Sequence, residues 1–109
     1  MSPLSSLLKE YKGGRIAVYG LSEETRRTLD KIGDKADVIG LLDGYQKKGE
    51  VFGKPVISLE QAVDKHVSLI LVAARPGSCR AIAKRIGAVC RENRIALFDI
   101  RGNNLCEEK

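Results

Sequence analysis

Aromatic residues are scarce: three tyrosines, two phenylalanines and no tryptophan among 109 residues. With no basic–aromatic alternation and no helix-turn-helix or zinc-finger spacing, the pattern argues against specific nucleic-acid recognition. Histidine occurs once, as His66, at an expected helix-to-strand junction with no Cys, Ser or carboxylate motif around it, so catalytic or metal chemistry built on histidine has no support. The three cysteines, Cys79, Cys90 and Cys106, are odd in number and form no CxxC pair, which argues against a disulfide framework. Cys79 and Cys90 fall in one expected helix, where a rise of about 1.5 Å per residue holds them roughly 16 Å apart, too far to bond. They read as small apolar residues of a reducing compartment. No apolar run approaches the roughly 20 residues of a membrane span, so membrane insertion is not expected. The opening “MSPLSSLLKEYKGG” shows no basic leader or cleavage site, and the expected location is cytoplasmic. Paired carboxylates, a nucleophile elbow, a Walker loop and a metal-spaced cluster are all missing, so no catalytic residue and no metal ligand is expected.

What is present is an ordinary folding composition, 43% hydrophobic and 30% charged, with a net charge of +5. The length suits one domain with its own core. The excess of cations admits a small anionic ligand or a negatively charged neighbouring domain. Residues 1–14 read as a leading helix with Leu4, Leu7 and Leu8 at helical spacing, residues 15–105 as an α/β core, and 106–109 as a polar tail. “RIAVYG” is a near-continuous apolar run, the mark of a strand covered on both faces. Ser22 is placed to cap the helix that follows, with Glu23 and Glu24 in its first turn. “ADVIGLLD” is a second buried strand. A glycine-rich loop follows, and “PVISLEQAVDK” then predicts a short strand and a helix with Ser58 and Gln61 as a capping box. “VSLILVAA” is the strongest strand signal, and “RPGSCRAIAKRIGAVCREN” the longest helix, its apolar positions recurring at three and four residues. “RIALFDI” is the last strand. Alternating strands and helices predict a three-layer, Rossmann-like α/β domain with a parallel sheet of about five strands in the order 3-2-1-4-5.

In such a sheet a ligand crevice opens where the strand order reverses, at the carboxyl ends of the first and fourth strands. Those ends carry Gly20, Leu21 and Ser22 on one side, and Ala74, Arg75, Gly77 and Ser78 on the other. At the first corner “GLSEET” keeps only one of the three glycines of a dinucleotide fingerprint, and two glutamates stand where a phosphate would sit, so classical NAD binding is not expected. Asp43, roughly 20 residues beyond Gly20, occupies the place where an acidic residue meets a ribose, though Asp-Gly is also a common strand exit. The second corner has a cation, a flexible glycine and a hydroxyl at the amino end of the longest helix, which favours an anion. Its alternative reading is Pro76 starting the helix, Ser78 helping to cap it and Arg75 in solvent. Arg80, Lys84 and Arg91 read as a solvated outer face, and Tyr45, Lys47 and Lys48 as a polar loop able to cover a sugar or base.

The segments “IAVYG”, “VIGLLDG”, “GEVFGKPVISLEQA” and “LILVAARPGS” resemble the small Rossmann-like modules attached to enzymes of bacterial surface-sugar synthesis, including sugar acyltransferases, sugar methyltransferases and polysaccharide epimerases. “SLILVAARPGSCRAIAKRIGAVCRENRIALFDIRGNNL” looks most like the module preceding a haloacid-dehalogenase-like hydrolase domain in clostridial glycan-biosynthesis proteins. The resemblance implies a piece of a longer protein that binds a nucleotide or nucleotide-sugar, with Gly20, Asp43, Ala74 and Arg75 bordering the cleft. It also implies that the partner is the enzyme domain of the same parent chain. The paired aspartates of that hydrolase family are missing, since neither Asp43-Gly44-Tyr45 nor Asp99-Ile100-Arg101 supplies them. Two readings therefore stand: a non-catalytic nucleotide or nucleotide-sugar module, and a docking or dimerisation module, such as a homodimer, with an empty crevice.

Overall fold

A computed structural model describes residues 3–46 and 48–106; Lys47 and residues 1, 2 and 107–109 lie outside the described residues. The elements follow in the order α1 (Pro3–Glu10), β1 (Arg15–Tyr19), α2 (Glu23–Ile32), β2 (Asp37–Leu42), β3 (Glu50–Val51), β4 (Lys54–Pro55), α3 (Leu59–Asp64), β5 (Leu69–Val72), α4 (Pro76–Glu92) and β6 (Ala96–Asp99). Four strands form one parallel sheet in the order β2-β1-β5-β6, and β3 and β4 form a small antiparallel hairpin beside it.

The apolar runs are continuous because both faces of the sheet are covered. Ile16 and Val18 of β1, with Leu69 and Leu71 of β5, face a cluster that includes Leu4, Leu7 and Leu8 of α1 and Ile32 of α2. Ala17 and Tyr19, with Ile70 and Val72, face a second cluster containing Ala62 of α3 and Cys79, Ile86 and Cys90 of α4. All four residues of β5 are fully enclosed. Each such aliphatic side chain contributes about 1.5–3 kcal/mol on burial, which makes β1 and β5 the thermodynamic centre of the domain. The result is the three-layer, Rossmann-like α/β architecture.

Strand 3 of the expected order 3-2-1-4-5, the edge strand of “PVIS”, is reduced to a single bridge. Val56 pairs in parallel with Leu41, and Ile57 N–H donates to the Leu41 carbonyl at 2.8 Å, so the segment does lie outside β2. Two local facts stop it there. Pro55 has no N–H for a ladder, and Val56 N–H is spent on Gly49 O at 2.8 Å inside the hairpin. Gly40 is what lets this edge come close, since a side chain there would press within 3.1 Å of Ile57 and Pro55.

Both helices on the α3–α4 face end with the same motif. After α3, His66 N–H reaches Val63 O and Val67 N–H reaches Ala62 O; after α4, Arg94 N–H reaches Arg91 O and Ile95 N–H reaches Cys90 O. These are Schellman stops, each with a buried aliphatic residue, Val67 or Ile95, immediately after. The turning residue must be left-handed, a place glycine usually fills, yet here it is His66 (φ 57°) and Arg94 (φ 56°). Both side chains are exposed, so their replacement tests backbone strain alone. His66→Gly and Arg94→Gly should each stabilise the fold by about 0.5–1 kcal/mol in urea titrations, whereas His66→Val should destabilise by about 1 kcal/mol.

Candidate functional site

The chain leaves β1 through α2 toward one face of the sheet and leaves β5 through α4 toward the other, so the carboxyl ends of these adjacent strands part around a crevice. Its volume is about 330 Å³. Ser22, Glu23 and Glu24 line it from the start of α2, Ala74, Arg75 and Pro76 from the start of α4, and Arg101 from the turn after β6. Of the eight residues singled out from the sequence, Ser22, Ala74 and Arg75 line this crevice. Gly20 and Leu21 are not among the residues lining it, Leu21 packing against the cluster under α1, and Gly77 and Ser78 belong to the exposed first turn of α4.

The two corners differ in how closed they are. Gly20 has φ +130°, and a Cβ there would fall 2.9 Å from both Ala73 O and Thr25 Oγ1, so the first corner is packed shut behind its turn. Thr25 Oγ1 is fully buried with no hydrogen-bond partner. Ser22 holds the N-cap position but makes no side-chain cap, because Thr25 N–H turns to the Ser22 carbonyl at 3.0 Å instead. At the second corner Arg75 is the N-cap residue in extended conformation, Pro76 begins the helix, and a Cβ on Gly77 would meet nothing within 4 Å. Ser78 makes no cap there, since it lies inside the helix rather than before it. By contrast, Ser58 and Gln61 complete the expected capping box, with bonds of 2.9 and 3.1 Å.

Charge separates the corners further. Glu23 is held by Arg26 and lies 4.0 Å from Arg27. The Arg26 hydrogen bond keeps its carboxyl below the ordinary range. Much of the negative charge at the first corner is thus answered within its own helix, leaving Glu24, half-buried, facing the crevice. Across from it stand Arg75 and a second cation that sequence reasoning missed. Arg101 Nη2 donates to Ala74 O at 3.4 Å, lies 3.8 Å from Cys79 Sγ and approaches Asp99 Oδ2 at 3.6 Å. Asp99 is the organiser of this turn: its buried carboxylate accepts from Arg101 N–H, Asn103 N–H and Asn103 Nδ2, each at 2.9 Å. Burial pushes its pKa up, but the Asn103 and Arg101 hydrogen bonds and the Arg101 charge outweigh this and hold it below the usual carboxylate value. A signal for Arg101 did exist in the sequence. Parallel strands all end at one edge, so a cation just past the last strand must land beside the crevice.

The remaining candidates serve the scaffold. Asp43 does not line the crevice; its Oδ2 accepts from Tyr45 N–H and Gln46 N–H, both at 3.0 Å, closing the turn that leaves β2. Gly44 lies under the Arg85 guanidinium of α4, near Tyr19 Oη. Tyr45 is 92% exposed and does not line the crevice, and Lys48 is exposed. His66 is accounted for by its helix stop. Cys79 is buried, its thiol donates to Ala74 O at 3.4 Å, and burial with the nearby Asp99 charge pushes its pKa up, which makes it a poor nucleophile. Among the described residues no group of three or more His, Cys, Asp or Glu could hold a metal ion, and no helix is long and apolar enough to cross a membrane.

No protein-family model matches this chain, and neither a curated protein nor a solved structure is significantly similar to it.

The lowered pKa of Asp99 fixes the sign of a pH effect. Its contribution to stability is complete above the unfolded-state value of about 3.9 and is lost as pH falls through the lower folded-state value. Thermal denaturation between pH 2 and 6 should therefore show a steeper acid loss for the parent chain than for Asp99→Asn. Parallel curves would mean that the carboxylate does not organise the turn.

Proposed function

We propose that the chain is a non-catalytic binding module that holds a nucleotide or nucleotide-sugar in the switch-point crevice and serves an enzyme of glycan biosynthesis in the same parent chain. The observation that carries this reading is the opposition of charges across one cleft, with Arg75 and Arg101 on one wall and Glu23 and Glu24 on the other. Guanidinium groups suit phosphate oxygens, and carboxylates accept hydrogen bonds from sugar hydroxyls. A phosphate joined to a polyol uses both walls; a bare anion uses only one. The phosphate belongs at the second corner, where Gly77 leaves the first turn of α4 open, rather than at the closed Gly20 turn. The sequence resemblance to surface-sugar modules supports the same ligand class and supplies the glycan context. With no acid–base pair or activated nucleophile in the crevice, the chemistry falls to the partner domain.

A second reading, docking or dimerisation with the crevice empty, is supported by Tyr45 and Phe52, the two large hydrophobic residues that stand exposed on the connection after β2. Phe52 sits at φ 53° in the two-residue turn of the hairpin, a position that suits Asn or Gly.

The readings separate in a thermal-shift and calorimetry panel of nucleotides, nucleotide-sugars, sugar phosphates and coenzyme A. The binding reading expects a nucleotide-sugar to stabilise, by about 2.7 kcal/mol at one hundred times its dissociation constant. Arg75→Ala and Arg101→Ala should each weaken binding by about tenfold, and Ser22→Ala by less than about twofold. If no compound stabilises the chain, and sedimentation shows a dimer that Phe52→Asn dissociates, the docking reading replaces it.

A further inference from the structure

The third cysteine does not sit at random on the surface. After β6 the chain turns through the Asp99–Asn103 network and runs back along the outer edge of β6, with Asn104 bridged to Phe98 and Leu105 N–H donating to Leu97 O at 2.7 Å. This return carries Cys106 onto α4, where its Sγ lies 3.9 Å from the Gly87 carbonyl and packs against the cluster that contains Cys90. Cys90 is one helical turn beyond Gly87 and wholly enclosed, whereas Cys106 is partly exposed. Two reduced thiols thus share one spot, one reachable from solvent and one beneath it, and the crevice uses neither.

We propose that Cys90 and Cys106 form a reversible disulfide when the protein meets a hydroperoxide, stapling the returning chain to α4. The partly exposed Cys106, as its thiolate, attacks a peroxide oxygen, the O–O bond breaks, and hydroxide leaves as Cys106 becomes a sulfenic acid. The Cys90 thiol then gives up its proton, its sulfur attacks the Cys106 sulfur, and the S–O bond breaks to release water. In sum two thiols and one hydrogen peroxide give one disulfide and two waters. Burial, with the nearby Cys106 charge, pushes the Cys90 thiol up to about 12, which suits it to the second role rather than the first. The bond closes a loop of roughly 15 residues that includes Arg101, so it also fixes the turn that sets one wall of the crevice.

The three cysteines fall in separate tryptic peptides, 66–80, 86–91 and 102–109, which makes the test direct. After brief treatment with hydrogen peroxide and blocking of remaining thiols, mass spectrometry should find peptides 86–91 and 102–109 joined and lighter by two hydrogens, with Cys79 blocked as a free thiol. The oxidised chain should stay the same size by sedimentation, melt roughly 5–10 °C higher and return to its starting value in dithiothreitol. Cys106→Ser should abolish both the link and the shift, and Cys79→Ala should preserve both. Sulfinic or sulfonic acid at Cys106 beside a reduced Cys90 would overturn the proposal. So would a bond through Cys79 or a link between two chains.

Discussion

The pairing of β1 with β5 is the constraint on which the rest of this molecule depends. The two strands are distant in sequence, yet Ile16 to Tyr19 lie in register with Leu69 to Val72, and β2 and β6 add outside them. Both are enclosed on two faces, so neither has a polar side chain facing water along its inner length. Because the chain adds β2 on one side of β1 and β5 on the other, α2 and α4 diverge, and their amino ends part at a shared edge. The crevice is a consequence of that reversal rather than of any residue placed to make it.

Once the crevice exists, its character depends on which charges are answered locally. Glu23 is tied to Arg26 and Arg27 on its own helix, while Arg101 is steered inward by Asp99 and the Ala74 carbonyl. The two walls differ accordingly. One is a helix start with its acids partly neutralised behind a packed glycine turn, and the other is an open helix start flanked by two guanidinium groups. Arg101 is held by neighbours that exist whether or not a ligand is bound. Less side-chain freedom remains to be lost on binding, which favours affinity without additional contacts.

How much of this was legible in the residues varied with the range of the interaction. The buried strands, the long helix and the Ser58–Gln61 capping box each declare themselves within a few positions, because periodicity and cap chemistry are local. The shortening of the expected edge strand at “PVIS” did not, since Pro55 and the Val56–Gly49 bond divert that segment into a hairpin, and competition between two backbone partners has no signature in hydrophobic pattern. Ser22 and Ser78 carried the right chemistry for caps without making them. At Ser22 the Thr25 N–H goes to the Ser22 carbonyl rather than to its hydroxyl, and Ser78 falls inside the helix rather than before it. Asp43 fitted the position of a ribose ligand but is occupied with its own turn. Arg101 reaches the crevice because its strand ends at the same edge as β1 and β5, and nothing near it in sequence belongs to the other walls.

The covering of β6 has a consequence for how this domain meets other proteins. Asn104 and Leu105 occupy the outer edge of β6, and Val56 with Ile57 occupies the outer edge of β2 at Leu41. At β6 little unpaired main chain remains, so an extended peptide finds little template there on which to add itself as a further strand, whereas β2 is engaged only at Leu41. Association at the β6 edge must then proceed through side chains, where it is selective for surface chemistry.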